Sequence, residues 1–140
     1  LRQELHPFKL SVIIPPDMPL VSVDFGLTEQ VIHNLLLNAT QYAPAGSRIY
    51  LKFFFDNGLL HIQVMDRGKG FSPNELDLVF NKFFRGKDSK AGGIGLGLSI
   101  VKGFVDAQQG TVSAENRKNG GALFSVKIPV KTPDIDPFNK

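Results

Sequence analysis

Between Asp24 and Asp66 the apolar period of the sequence changes once, and that change constrains the fold more than any other feature. Across Phe25–Tyr42, the residues Leu27, Val31, Ile32, Leu35, Leu36 and Ala39 fall within one half of a wheel turning about 100° per residue, which predicts an amphipathic helix. Asp24 can cap its first amides, and Ala43-Pro44-Ala45-Gly46 stops it. Over residues 48–55 the period drops to two, with Ile49, Leu51, Phe53 and Phe55 alternating against Tyr50, Lys52 and Phe54. Asp56-Asn57-Gly58 signals a tight hairpin turn, and a return strand follows over 59–66. Leu60, Ile62 and Val64 share one face of that strand, and by parity Asp66 points the same way, toward the side where helices pack.

The rest of the chain supplies more strands and helices. Residues 9–14 alternate and are β-branched up to Pro15-Pro16, and 21–23 read as a short strand. Ser72-Pro73-Asn74-Glu75 is a capping box that predicts a short helix through Leu76, Val79, Phe80 and Phe83, with Lys82 and Arg85 near its end. A glycine-rich run over 92–98 leads into a helix with Leu98, Val101, Phe104 and Val105 on its apolar face and Gly110 as its stop. Two strands, 111–115 and 122–128, flank Asn119-Gly120-Gly121. Residues 1–130 are expected to form one domain and 131–140, with two prolines, a loose tail.

Composition narrows the function classes. A net charge of +3 suits an anionic ligand, yet 16 basic against 13 acidic residues with no basic run is too mild a surplus for a nucleic-acid binder. With no cysteine there is no disulfide frame and no thiolate metal site. No apolar run approaches the ~20 residues needed to cross a bilayer, and no signal segment opens the chain, so it reads as a piece of a larger protein that itself touches no membrane.

Three groups of residues carry chemistry. Gln30, Asn34, Asn38 and Gln41 form an amide stripe bordering the apolar face of the first long helix. Asparagine is a mediocre helix former, so two at i and i+4 suggest a task for their side chains. Asp66 aims a carboxylate inward, which is costly unless it is bonded, and Gly68 and Gly70 open room beside it for something flat. Over 92–97, four glycines among six residues precede a helix whose first amides favour an anion, although the run lacks the Lys-Ser/Thr ending of a P-loop.

The order of these signals is specific, and it resembles the GHKL ATPase family, in particular the ATP-binding catalytic domain of bacterial sensor histidine kinases. Asn34 to Tyr42 look like its N box, Asp66-Arg67-Gly68-Lys69-Gly70 its first glycine box, Phe80-Asn81-Lys82-Phe83-Phe84-Arg85 its F box, and Gly93-Ile94-Gly95-Leu96-Gly97-Leu98 its second glycine box. Val105-Asp106-Ala107-Gln108-Gln109-Gly110-Thr111-Val112 is similar to the KdpD group of sensor kinases. The resemblance implies an α/β (α+β) two-layer sandwich of the Bergerat type, a mixed, mostly antiparallel sheet packed on helices, with ATP held under a flexible lid. It also implies roles. Asp66 would accept from the adenine 6-amino group, Tyr42 would offer an aromatic surface near the base, and Asn38 would give oxygen to Mg²⁺. Gly93, Gly95, Leu96, Gly97 and Leu98, with Lys82, Arg85 and Phe83 from the F box, would surround the phosphates, so catalysis would be positioning plus charge stabilisation.

Departures from the family pattern fall at three positions. Gln41 stands where Lys or Arg is usual and should weaken a phosphate contact; Ala122 replaces a common Thr; Arg67 stands where Asn is frequent. Asn34 occupies the point at which gyrase-like and heat-shock-chaperone relatives place a water-activating Glu, and an amide cannot be a general base. The resemblance therefore implies a phosphotransferase half, acting on a histidine of a dimerisation domain and through it on a response regulator. The parent would be anchored in the inner membrane with this domain in the cytoplasm. His6, followed by Pro7, reads as an ordinary surface histidine. A non-catalytic nucleotide-sensing or interaction module is the competing reading.

Overall fold

The computed structural model describes residues 1–84 and 97–132. Arg85, Gly93, Gly95 and Leu96 lie outside the described residues, as do residues 133–140. Among the described residues, four helices, α1 (Arg2–Leu5), α2 (Phe25–Tyr42), α3 (Pro73–Leu76) and α4 (Gly97–Ala107), accompany five strands, β1 (Lys9–Ile13), β2 (Arg48–Asp56), β3 (Leu59–Met65), β4 (Thr111–Asn116) and β5 (Ala122–Pro129). The strands make one sheet in the order β1-β2-β3-β5-β4, with β1 parallel to β2 and every other pair antiparallel. This is the mixed, mostly antiparallel sheet packed on helices that the family resemblance implied.

The period-two pattern builds the core directly. Ile49, Leu51, Leu60, Ile62, Val64, Phe124, Val126 and Ile128 are buried on one face of the sheet. Val31, Leu35, Leu36 and Ala39 of α2 and Val101 and Val105 of α4 meet them in one apolar cluster. Each fully buried Ile, Leu or Val contributes about 1.5–3 kcal/mol relative to exposure. At the β2–β3 turn, Asn57 and Gly58 both take positive φ, 53° and 76°, the geometry that an Asn-Gly hairpin requires. Asp24 caps α2 through a 2.9 Å bond from the Leu27 amide.

Several elements differ from the sequence reading. Leu27 and Ile32 are only half-buried, whereas Thr28 and Thr40 are buried, because α2 packs against α4 as well as the sheet. Thr28 reaches Gln108 beyond the end of α4, and Thr40 bonds the Leu37 carbonyl. Residues 21–23 are no strand: Ser22 makes one isolated bridge with Lys131, which also ties down the start of the segment expected to be loose. The Ser72–Glu75 capping box forms as read, but its helix is one turn long and does not continue to Phe83. Successive i→i+3 bonds at Leu78, Asn81 and Phe84 turn the chain, and Phe83 takes φ 64°, which no α-helix accommodates. At the end of α4 the left-handed residue is Gln109, φ 58°, and Gly110 follows it. Gly110 donates to the Val105 carbonyl and Gln109 to Asp106, a Schellman ending, and a side chain on Gly110 would strike the Lys127 carbonyl of β5.

Candidate functional site

Asp66 follows β3 directly and keeps its inward parity, so its carboxylate enters the layer between sheet and helices, 2% exposed. Oδ1 accepts from the Gly68 amide at 2.8 Å and the Ala122 amide at 3.2 Å. Oδ2 takes no hydrogen bond from the described residues. Burial pushes the carboxyl pKa up, and the two amides and the nearby Arg117 guanidinium pull it part of the way back. Asp66 therefore has one oxygen fixed by the backbone and one that no described residue engages.

The loops around it are held closely. A side chain on Gly121, φ 98°, would run into the Asp66 carbonyl, and one on Gly68 would meet the Tyr42 carbonyl at the end of α2. Gly70, φ 76°, packs against the Asn116 side chain. Asn116 clasps the backbone of Phe71 at both ends, accepting from its N–H at 2.8 Å and donating to its C=O at 2.7 Å. Phe71, buried, stands edge-on to Tyr42 at 4.9 Å and to Phe124 at 6.2 Å. Arg117 donates from Nη1 to the Asp66 carbonyl at 2.7 Å. Asn116, Arg117 and Phe71 escaped the sequence reading. The available signal was an Asn at a strand end just before a glycine turn, a residue poorly suited to pairing and well suited to holding a loop.

Across the layer, the amide stripe of α2 is sparsely bonded. Asn34 Nδ2 donates to the Gln30 carbonyl at 2.8 Å, one turn back, which leaves its oxygen beside the start of α4 at Gly97. Asn38 Nδ2 is buried with no hydrogen-bond partner among the described residues. A buried amide with an unmet donor is costly, and such a group marks a place prepared for a ligand or water. Among the described residues no three His, Cys, Asp or Glu side chains gather into a metal cage. The unmet Asn38 Nδ2 is a donor and suits an acceptor such as an oxygen of a bound ligand.

Of the residues singled out in the sequence, the fold brings Tyr42, Asp66, Gly68 and Gly70 into one cluster and sets Asn34 beside Gly97. Asn38 and Gln41 are half-buried on the same helix, and Leu98 is buried in the core. Lys82 and Phe83 stand outward, Phe83 at 68% exposure, while Phe80 and Phe84 take the packed positions of that segment. Ala122, flagged for its lost hydroxyl, contributes through its backbone: its carbonyl accepts from the Asp66 amide and its amide donates to the carboxylate.

Residues 24–132 match the model of the histidine kinase-, DNA gyrase B- and HSP90-like ATPase family. The chain belongs to that family. Within it, the similarity runs to sensor histidine kinases. The sensor protein KdpD of Escherichia coli strain K12 is 40% identical over 136 residues, which cover 96% of this chain and 15% of that protein. The chain thus spans about a seventh of the length of this relative. The mycobacterial sensor histidine kinase MprB superposes with a TM-score of 0.82 at 27% identity, covering 94% of this chain and 90% of that one. ShkA, in a full-length structure in complex with AMPPNP, superposes at 0.80 with 25% identity, covering 94% of this chain and 28% of that one. This GHKL domain is accordingly an ATP-binding domain of the histidine-kinase branch, and no helix among its described residues is long and apolar enough to cross a membrane.

Proposed function

We propose that this GHKL domain binds Mg²⁺-ATP and presents the γ-phosphoryl group to a histidine on a separate dimerisation domain of the same parent protein. The observation that carries the reading is the contrast within one buried layer: Asp66 with a single open oxygen, facing a helix whose Asn38 amide is buried and unmet. Asp66 Oδ2 accepts from the adenine 6-amino group, whereas guanine would present an oxygen there and be repelled. Tyr42, braced edge-on by Phe71, borders the base. Asn38 turns its amide oxygen to Mg²⁺, which supplies charge neutralisation of the phosphates when bound. Asn34, whose Nδ2 is already committed to the Gln30 carbonyl, offers an oxygen but no basic group, so water is not activated and transfer is favoured over hydrolysis. Lys82 and Arg85 and the amides of Gly93, Gly95 and Gly97 hold the phosphates.

The same reading puts the parent in the inner membrane with this domain on the cytoplasmic side, and a response regulator downstream. The ShkA neighbour, solved in complex with AMPPNP, supports nucleotide binding, and the sensor-kinase relatives support a role in a multi-domain sensor. The test mixes the chain with a separately produced phosphoacceptor domain of its parent and labelled ATP. Acid-labile, alkali-stable phosphohistidine on that domain is expected. ATP binding without phosphohistidine would leave a non-catalytic nucleotide-sensing module.

A further inference from the structure

The face of the sheet turned away from α2 and α4 carries a cluster of arginines, one of which, Arg117, also bonds the Asp66 carbonyl. Strand alternation puts Arg48 and Tyr50 of β2 on that face, together with Arg67 just beyond β3 and Arg117 just beyond β4. Arg67 Nη2 donates to the Tyr50 hydroxyl at 3.0 Å. The guanidinium carbons of Arg67 and Arg117 lie 5.7 and 5.5 Å from the Tyr50 ring centre. Arg48, two residues back on the same strand face, bonds the Ser11 hydroxyl. None of the three arginines makes an ion pair with a carboxylate among the described residues. The Arg67 bond, assisted by the charges of Arg67, Arg48 and Arg117, holds the Tyr50 phenol below its ordinary pKa.

We propose that Arg48, Arg67 and Arg117, gathered around Tyr50 on the open face of the sheet, bind a phosphate monoester dianion. Three guanidinium groups held together with no ion-paired carboxylate among the described residues repel one another, and one carboxylate would pair with a single guanidinium and leave the other two. A phosphate has three terminal oxygens and close to two charges, which matches the guanidinium N–H groups not committed to Ser11, Tyr50 and the Asp66 carbonyl, with the Tyr50 hydroxyl as a further donor. Arg67, the residue in place of the family's frequent Asn, is then what completes the site. The phosphate can arrive free or on a phosphorylated protein side chain; the chemistry recognised is the same.

The test follows the Nε–H signals of Arg48, Arg67 and Arg117 by NMR while phenyl phosphate, inorganic phosphate or a phosphoserine peptide is added to the whole chain. Saturable shifts at all three are expected, with about tenfold weaker binding in Arg67→Asn and in Arg48→Gln, whose unchanged amide spectra elsewhere would show that they fold. Tighter binding of the peptide than of free phosphate assigns the site to a protein-borne phosphoryl group, and equal binding to a small molecule. Absence of saturable shifts at these signals, wild-type affinity in both variants, or equal affinity for a hexaglutamate peptide would each overturn the proposal.

Discussion

The two sides of the nucleotide layer are built in opposite ways. Around Asp66, every backbone neighbour is spoken for: two amides on one carboxylate oxygen, Arg117 on its carbonyl, Gly121 pressed against it and Asn116 clasping Phe71. Along α2, Asn34 makes one local bond and Asn38 leaves a buried donor unmet. The difference teaches how the work is divided. On the proposed roles, base recognition needs a fixed geometry before ligand arrives, so its cost is met within the fold, whereas phosphate and metal contacts would be completed by the ligand's own oxygens.

The sharpest way to break that contrast is Gly121→Ala. A methyl at φ 98° would strike the Asp66 carbonyl, so unfolding in urea should show a loss of at least about 3 kcal/mol. A change under about 0.5 kcal/mol would mean that the adenine side is not held as described.

Asp66→Asn comes next and separates function from stability. Calorimetric titration should show ATP binding about a hundredfold weaker, about 2.7 kcal/mol, as expected for losing a hydrogen bond to a charged group. The ligand-free fold should respond in the other direction. Burial raises the folded pKa of Asp66, so ionising it costs folding free energy. That penalty is absent below about pH 4, where the carboxyl is protonated in both states, and it grows as pH rises through the folded pKa. Melting temperatures should therefore favour Asn over Asp more at pH 7 than at pH 3.5.

Asn116→Ala removes both bonds to Phe71 and should cost about 1.5 kcal/mol, with amide exchange quickening first at Phe71. Asn38→Ala has the smallest effect on the ligand-free fold, leaving stability unchanged or raised by up to about 0.5 kcal/mol, since it deletes a buried donor that has no partner among the described residues. It should nevertheless abolish the Mg²⁺ dependence of ATP binding in the same titration. A large loss of stability would show that the α2 side is as fully bonded as the Asp66 side.

Local chemistry was readable wherever one segment decided the outcome. Asn57-Gly58, the Ser72–Glu75 box, the Asp24 cap and the alternation around Ile49 and Ile62 formed as the residues dictate. The misreadings fall where distant segments compete. Thr28 is buried because α4 lies alongside, which periodicity within α2 does not encode. Gly110 is needed for space beside β5 and not for its φ, so its purpose depends on a strand still to come in the chain. Within the site, Asp66 was visible through strand parity, whereas Asn116 and Arg117 reach it across roughly fifty residues, and nothing in their own neighbourhood names their target.

The reach of those contacts has a consequence for synthesis. The β2–β3 hairpin, made of adjacent segments, can close as soon as residue 65 is joined, and Asp66 then sits at its open end. The Ala122 amide that fixes the carboxylate is added 56 residues later, and pairing across such a distance is slow because a long loop must close first. If Asp66 reads the base as proposed, a growing chain owns its base-reading residue well before it can read a base, and nucleotide selectivity is among the last properties the domain acquires.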